Sequence, residues 1–276
     1  MKYIFIAGLE HSGSTLLNHL LCASPNAIGL GEVASYFSPA HMQWYMQKWG
    51  DYPDVRLCSC GHSWESCDIW GGLGHLNGLV NEEPLRNKYG ELIEYFRGGA
   101  PEKELIVDSS KSPAALKVLV EESQQIGLRK EDLLVLVAVK DVRSFTASIN
   151  AKEGGRASIL SVSRTFNWWL GVNRSLLDYL GRHDVSFALV LYENLCHEPE
   201  NIIFSILDGF GCRRQDHLNM QHANSHIAMG NKDFILRNRD AIRYDDRWTR
   251  SGKIRQVYRM HLGARRLNSR CYRESV

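Results

Sequence analysis

Four short apolar runs alternate along the chain with stretches of helical periodicity. The runs cover residues 3–7, 104–107, 133–139 and 185–191. Residues 133–139 are continuously apolar, as in strands buried on both faces of a parallel sheet. Helices are predicted over residues 14–22, 39–49, 84–98, 113–122, 157–181 and 199–210, and near 253–267. This alternation predicts an α/β fold in three layers, with a central, mainly parallel sheet between two layers of helices.

Length and composition fit one globular domain. The chain has 276 residues, of which 44% are hydrophobic and 23% charged. We expect a single domain over residues 1–276, with an irregular cysteine-containing insertion at 51–75 and a polar C-terminal segment at 211–276. A net charge of +2 does not indicate nucleic-acid binding.

The same features bear on where the protein works. No apolar run reaches membrane-spanning length. The chain enters its first strand directly, so we expect no secretory signal. Seven cysteines, an odd number in a chain of this size, do not resemble a secreted disulfide framework. We therefore expect a cytoplasmic protein.

The first strand leads into a loop typical of phosphate binding. Gly8 and Gly13 are separated by four residues and followed by Ser14 and Thr15, which fits a P-loop with one exception. Ser14 stands where a nucleotide triphosphatase has lysine. Such a loop can hold a 5′-phosphate through its amides and the helix N-terminus, but it is poorly equipped for γ-phosphoryl transfer.

Polar residues with useful chemistry follow each predicted strand. The segment 108–112 follows the second strand, Lys140, Asp141 and Arg143 follow the third, and Tyr192 and Glu193 follow the fourth. In parallel α/β sheets, ligands bind outside the carboxyl ends of the strands. The sequence therefore predicts a pocket for an anionic nucleotide at one edge of the sheet.

These segments resemble the sulfotransferases that use 3′-phosphoadenosine 5′-phosphosulfate (PAPS), especially bacterial and tyrosylprotein sulfotransferases. His11-Ser12-Gly13-Ser14-Thr15 is similar to their 5′-phosphosulfate loop, and LVAVKDVRSFTAS (136–148) to their 3′-phosphate motif. DSSKSP (108–113), YENL (192–195), Gly230-Asn231 and Trp248 resemble further family elements. Two positions depart from the pattern. His11 stands where the family usually has Lys or Arg, and Lys140 stands where it usually has Arg.

The resemblance implies in-line transfer of a sulfuryl group from PAPS to a hydroxyl acceptor, without an obligatory metal. Glu32 would be the base, and Lys111 and His11 would stabilise the transferring group. The remaining implied donor-binding residues are Ser12, Gly13, Ser14 and Thr15 at the 5′-phosphate, Lys140, Ser148 and Arg143 at the 3′-phosphate, and Tyr192 against the adenine. The acceptor would be a small-molecule, carbohydrate or phenolic hydroxyl.

Several of these assignments have structural alternatives. Arg143 could pair with Asp141 instead, and Tyr192 could simply close the core. One cation among Lys232, Arg237, Arg239 and Arg243 could also reach the 3′-phosphate.

Two other functions fit parts of the pattern. A P-loop kinase or NTPase with a degenerate loop would need an aspartate for magnesium, for which Asp108 at the end of a strand is a candidate. A non-catalytic nucleotide-binding module would keep the fold without turnover. Thermal shift with 3′-phosphoadenosine 5′-phosphate (PAP) against ATP and magnesium separates the first alternative from sulfotransfer.

A cluster of potential metal ligands lies in the irregular insertion. Cys58, Cys60, His62 and Cys67 fall within ten residues. Zinc favours sets of four nitrogen and sulfur ligands, but this spacing is tighter than the usual paired motifs. A local disulfide and a loop with ordinary cysteines are the alternatives.

Overall fold

The structure, a computed structural model, describes residues 1–99, 103–152, 154–155, 157–213, 215–220, 224–231 and 242–276. Its centre is a sheet whose strands are β1 Lys2–Gly8, β2 Ala27–Gly31, β3 Leu105–Asp108, β4 Leu133–Val139, β5 Phe187–Leu191 and β6 Ser225–Met229. Their order is β5-β4-β1-β3-β2-β6, and each neighbouring pair is parallel. The predicted α/β class and parallel sheet are confirmed.

Helices follow most of the strands. They are α1 Ser14–Leu21, α2 Val33–Phe37, α3 Pro39–Trp49, α4 Leu85–Gly99, α5 Pro113–Glu121, α6 Val142–Lys152, α7 Ile159–Arg182, α8 Tyr192–His197, α9 Pro199–Gly209, α10 Gly252–Met260 and α11 Leu262–Glu274. The one helix expected near 253–267 is two helices. They break at His261, which leaves helical geometry and caps α11 by accepting a hydrogen bond from the Ala264 amide at 3.2 Å.

The alternating side chains of β1 define the three layers. Tyr3 and Phe5 are buried in one core cluster, which includes Phe166 of α7. Ile4 and Ile6 are buried in a second cluster, which contains residues of α1 and α9. Because successive side chains of a strand point to opposite faces, the two clusters lie on opposite sides of the sheet. The sheet is thus covered by helices on both faces.

Two strands, β2 and β6, were not predicted. Gly29 and Gly31 weaken the strand pattern of β2, because glycine has no side chain to pack in a strand. The structure shows that both glycines permit close packing. A side chain at Gly29 would collide with Asn18 of α1, and a Cβ at Gly31 would lie 2.6 Å from the Met229 carbonyl oxygen of β6.

The insertion at 51–75 is irregular, as expected, and packs beside α2 and β6. Trp64 and Trp70 contact the Tyr36 ring of α2 at centroid distances of 5.3 and 4.4 Å. The Ser59 amide donates to the Ile227 carbonyl of β6 at 3.1 Å. Separately, none of the described helices has the length and apolar character needed to cross a membrane.

Candidate functional site

The loop after β1 has the backbone geometry of an anion cradle. Gly8, His11 and Gly13 all have positive φ, at 135°, 63° and 86°, so the chain folds tightly before α1 begins. Gly13 is the residue before the first turn of α1. The first amides of a helix have no carbonyl partner within it, and they carry the positive end of its dipole. Ser12 and Ser14 are buried against this loop, whereas Thr15 is half-buried.

Tyr192 joins this loop to the end of β4. A Cβ at Gly13 would lie 2.6 Å from the Tyr192 ring, so only glycine permits this contact. The same ring also contacts Lys140, whose Nζ lies 4.2 Å from the ring centroid. The Tyr192 hydroxyl donates to the Arg243 carbonyl at 2.8 Å. Tyr192 is therefore in contact with both the glycine loop and Lys140.

Lys140 and Ser148 hold an anionic group of the chain itself. Lys140 Nζ donates to Ser148 Oγ at 3.0 Å, and both contact Asp245 Oδ2, at 3.3 and 2.8 Å. Arg247 adds a bidentate pair to the same carboxylate, with both distances 2.7 Å. The two residues predicted to bind a phosphate thus act together on a carboxylate. Sequence reasoning missed Asp245 and Arg247, although Arg247 precedes the Trp248 that carried part of the resemblance.

Electrostatics fix the charges of this cluster. Burial raises the pKa of Asp245, but Arg247, Lys140 and Ser148 outweigh it and hold that pKa well below its ordinary value. Burial lowers the pKa of Lys140, and Asp245 opposes that shift. Lys140 and Asp245 therefore form an ion pair that is shielded from water, since their side chains are only 5% and 13% exposed.

Glu32 and Lys111 form the second charged pair at this edge of the sheet. Glu32 directly follows β2, and its amide donates to the Met229 carbonyl at 3.1 Å. Lys111 follows β3 with a positive φ of 57°, and its amide donates to the Ile6 carbonyl of β1 at 3.3 Å. Lys111 Nζ lies 2.8 Å from Glu32 Oε1. The predicted base and the predicted lysine are therefore in direct contact.

His11 lies in the field of several cations. Partial burial lowers its pKa, and the charges of Lys152, Lys140 and Lys111 lower it further, against an opposing effect of Glu10. In the absence of an anion, this arrangement favours the neutral ring.

Arg143 takes the alternative that the sequence left open, pairing with Asp141. Its Nε and a terminal nitrogen donate to the two Asp141 carboxylate oxygens at 2.8 and 2.6 Å. The guanidinium also lies between the rings of Trp248 and Tyr258, 4.1 and 4.5 Å from their centroids. This packing fixes Arg143 as a structural cation, so it does not support the phosphate contact expected from the motif.

Asp108 has no oxygen free for magnesium. Its Oδ2 accepts the hydroxyls of Tyr3 and Tyr89 at 2.9 and 2.7 Å. Its Oδ1 accepts the Ser110 amide at 2.8 Å and also the Ser110 hydroxyl. These four bonds use the full acceptor capacity of a carboxylate. The geometry weighs against Asp108 as the magnesium ligand of a kinase or NTPase.

Four C-terminal cations are the sequence candidates for a further contact with the 3′-phosphate. Lys232, Arg237 and Arg239 lie outside the described residues, and Arg243 offers its carbonyl to Tyr192.

Cys58, Cys60 and Cys67 do come together, but with a different histidine. His62 is exposed, and His226 of β6 stands with the three thiols in its place.

Solved structures with a similar fold are sulfotransferase domains. The sulfotransferase domain from the Synechococcus PCC 7002 olefin synthase superposes with a TM-score of 0.59 at 18% sequence identity, covering 94% of each chain. The sulfotransferase domain from the curacin biosynthetic pathway gives 0.53 at 16% identity, over 94% of this chain and 96% of that one. No protein-family model and no curated protein matches the sequence. These similarities show that the chain has the fold of sulfotransferase domains.

Proposed function

We propose that this protein transfers a sulfuryl group from PAPS to a hydroxyl acceptor. The observation that carries the proposal is the position of Tyr192, in contact with Gly13 of the glycine loop and with Lys140 of the β4 end. This contact brings an amide-lined anion site next to a buried cation. A nucleotide with phosphates at both the 5′ and 3′ positions requires two such sites on one pocket.

The residues present suit that donor. The amides at the start of α1, together with the hydroxyls of Ser12, Ser14 and Thr15, would hold the 5′-phosphate. Lys140 and Ser148 would hold the 3′-phosphate, with Arg247 as a third donor. That these three groups already bind the Asp245 carboxylate supports their suitability for an anion of this size. Tyr192 offers a flat ring beside both sites, as the adenine contact requires.

Glu32 and Lys111 supply the chemistry at the acceptor. PAPS, when bound, supplies an activated sulfuryl group with a good leaving phosphate. An ionised Glu32 would take the proton of the acceptor hydroxyl, which makes that oxygen a better nucleophile. In the free protein Lys111 Nζ lies 2.8 Å from Glu32 Oε1, so the two groups are already paired where the acceptor would bind. As the proton moves to Glu32, Lys111 and His11 become available for the negative charge that develops on the leaving oxygen.

Transfer of labelled sulfate tests this proposal. Radiolabelled PAPS is incubated with the protein and a panel of phenols, sugars and aliphatic alcohols, and PAP release is measured alongside labelled product. We expect labelled product with at least one class, together with an equal amount of PAP. Binding of PAP without any consumption of PAPS across the panel would instead favour a non-catalytic nucleotide-binding module.

Replacing Asp245 by Asn should tighten the binding of PAP by about tenfold. In the free protein the Asp245 carboxylate occupies the cations that the 3′-phosphate needs, so each binding event must first displace it. The same substitution removes the negative charge that pairs with the buried Lys140, so the melting temperature of the free protein should fall. Calorimetry and thermal unfolding of the same variant measure the two opposite effects. Weaker PAP binding would mean that Asp245 orients the site rather than competing for it.

The binding of PAP should be linked to protonation of His11. Burial and, after it, neighbouring lysines lower the pKa of His11 in the free protein, and a bound phosphate should raise it. The contribution of His11 to the binding of PAP is then complete below the pKa of His11 in the free protein, which lies under about 6.5. It is lost as pH rises through the pKa of His11 in the complex. Calorimetry in buffers of different ionisation enthalpy should detect proton uptake by the wild type and less by His11→Asn. Equal uptake would assign the proton to the ligand's own phosphates.

A further inference from the structure

A second cluster of reactive side chains lies away from the nucleotide pocket. Among the described residues, Cys58, Cys60, Cys67 and His226 place one ligand atom each within 4.8 Å of all the others. Cys67 Sγ lies 3.6 Å from Cys58 Sγ and 3.2 Å from His226 Nδ1. Bond lengths of about 2.3 Å to sulfur and 2.0 Å to nitrogen place tetrahedral zinc ligands about 3.8 Å (S to S) and 3.5 Å (S to N) apart. The observed spacing is close to that geometry.

The backbone around the cysteines presents their thiols to one side. Gly61, with a φ of 93°, closes a turn in which its amide donates to the Cys58 carbonyl at 3.0 Å. The Cys58 amide in turn donates to the His62 carbonyl at 2.8 Å. His62 thus contributes its backbone to the turn while its ring stays exposed. This explains why the close sequence spacing of His62 to the cysteines indicated the wrong histidine.

The fourth ligand is held in position from the opposite side. His226 Nε2 lies 3.2 Å from Asn224 Oδ1, so a protonated Nε2 leaves Nδ1 free to bind a metal. The Trp70 indole donates to the His226 carbonyl at 2.6 Å. Ser59, between two of the cysteines, donates to the Ser225 carbonyl at 2.6 Å and accepts the Ile227 amide at 2.8 Å. Hydrogen bonds on both sides of His226 therefore fix it against the cysteine turn.

We propose that Cys58, Cys60, Cys67 and His226 bind one structural zinc ion. Three thiolates and one imidazole form a closed set of four soft ligands, and no carboxylate belongs to the group, which favours zinc over magnesium or calcium. At 3.6 Å, the Cys58 and Cys67 sulfurs are far beyond the roughly 2.05 Å of a disulfide. The assignment is independent of the proposed function.

The position of the site indicates what the metal does. It links the insertion to β6, which is an edge strand and pairs, among the described strands, with β2 alone. Three residues after His226, the Met229 carbonyl accepts the amide of Glu32. Zinc would therefore fasten the edge strand that supports the start of α2. Loss of the metal should loosen the backbone of residues 225–229 before it affects the centre of the sheet.

Metal analysis of the protein, prepared without a polyhistidine tag or chelator, tests the site. We expect about one zinc per chain in the wild type and in His62→Ala, and less than about a fifth of that in His226→Ala and Cys60→Ser. His62→Ala is the matched control because it removes the histidine that is nearer in sequence. Retention of zinc by His226→Ala together with its loss from His62→Ala would overturn the ligand set.

Wild-type protein provides a test that does not depend on how the variants fold. A strong chelator should raise amide exchange at 225–229, expose three additional thiols to a thiol reagent and lower the melting temperature by at least ~5 °C, and added zinc should reverse all three. Cobalt added to the apoprotein should give the visible bands of a tetrahedral thiolate site. Protein that takes up neither metal, or that contains a Cys58–Cys67 disulfide by mass spectrometry, would contradict the proposal.

Discussion

The Glu32→Gln variant should lose sulfuryl transfer by about a thousandfold while binding PAP as tightly as the wild type. Glutamine has the size of glutamate but cannot take a proton from the acceptor, and general base catalysis contributes about 10²–10⁴ in rate. Donor binding should persist because the contacts of Glu32 within the described residues, with Lys111 and Ser35, do not involve the loop residues 12–15, Lys140 or Ser148. Single-turnover transfer and calorimetry on the same preparation separate the two quantities.

Glu274→Gln is the matched control for this experiment. Glu274 also pairs with a cation, Arg270 at 2.9 Å, but it lies on the last helix and far from β2 in the chain. We expect its rate to equal that of the wild type. A Glu32→Gln protein that is folded, binds PAP and still turns over at the wild-type rate would remove Glu32 as the base.

Lys140→Met should weaken the binding of PAP by about a hundredfold. A charge-assisted hydrogen bond to a buried phosphate is worth about 1.5–3 kcal/mol, and each 1.4 kcal/mol corresponds to a factor of ten. The loss should vanish with adenosine 5′-phosphate, which has no 3′-phosphate for Lys140 to bind. Calorimetric titration of PAP and of adenosine 5′-phosphate into the wild type and into Lys140→Met gives the interaction free energy between Lys140 and the 3′-phosphate.

An exposed lysine serves as the control for Lys140. Lys130 also forms an ion pair, with Asp184 at 3.0 Å, yet both side chains are exposed at the opposite end of β4. Lys130→Met should bind both nucleotides like the wild type. If Lys140→Met weakened the two nucleotides equally, the lysine would act on the fold of the pocket and not on the 3′-phosphate.

The parts of the fold that followed from sequence are those with strong local patterns. Strand β4 has the predicted bounds, 133–139, because a short, continuous apolar run is typical of a strand buried on both faces of a parallel sheet. The helix after Ser112 begins where expected, since serine and proline fix its first turn. The parallel arrangement brings strand ends to one edge of the sheet, which is why the residues after β1, β4 and β5 come into contact through Tyr192.

The parts that the sequence did not reveal depend on contacts between distant segments. Strand β2 was hidden by Gly29 and Gly31, which are needed for close approach to α1 and β6. His226 lies 159 residues from Cys67, so no local spacing could pair them. Asp245 likewise reaches Lys140 across 105 residues. In each case the signal lies in tertiary packing, to which short-range periodicity is insensitive.

Thermal unfolding of the wild type with PAP, and separately with ATP and magnesium, tests the two-phosphate pocket most directly. A ligand that binds only the folded protein raises the melting temperature, and at equal concentration the rise is larger for the ligand that binds more tightly. With both anion sites on one pocket, PAP should raise the melting temperature by several degrees, and ATP with magnesium at the same concentration should raise it far less. Stabilisation by ATP and magnesium alone would contradict the assignment of Lys140 and Ser148 to a 3′-phosphate.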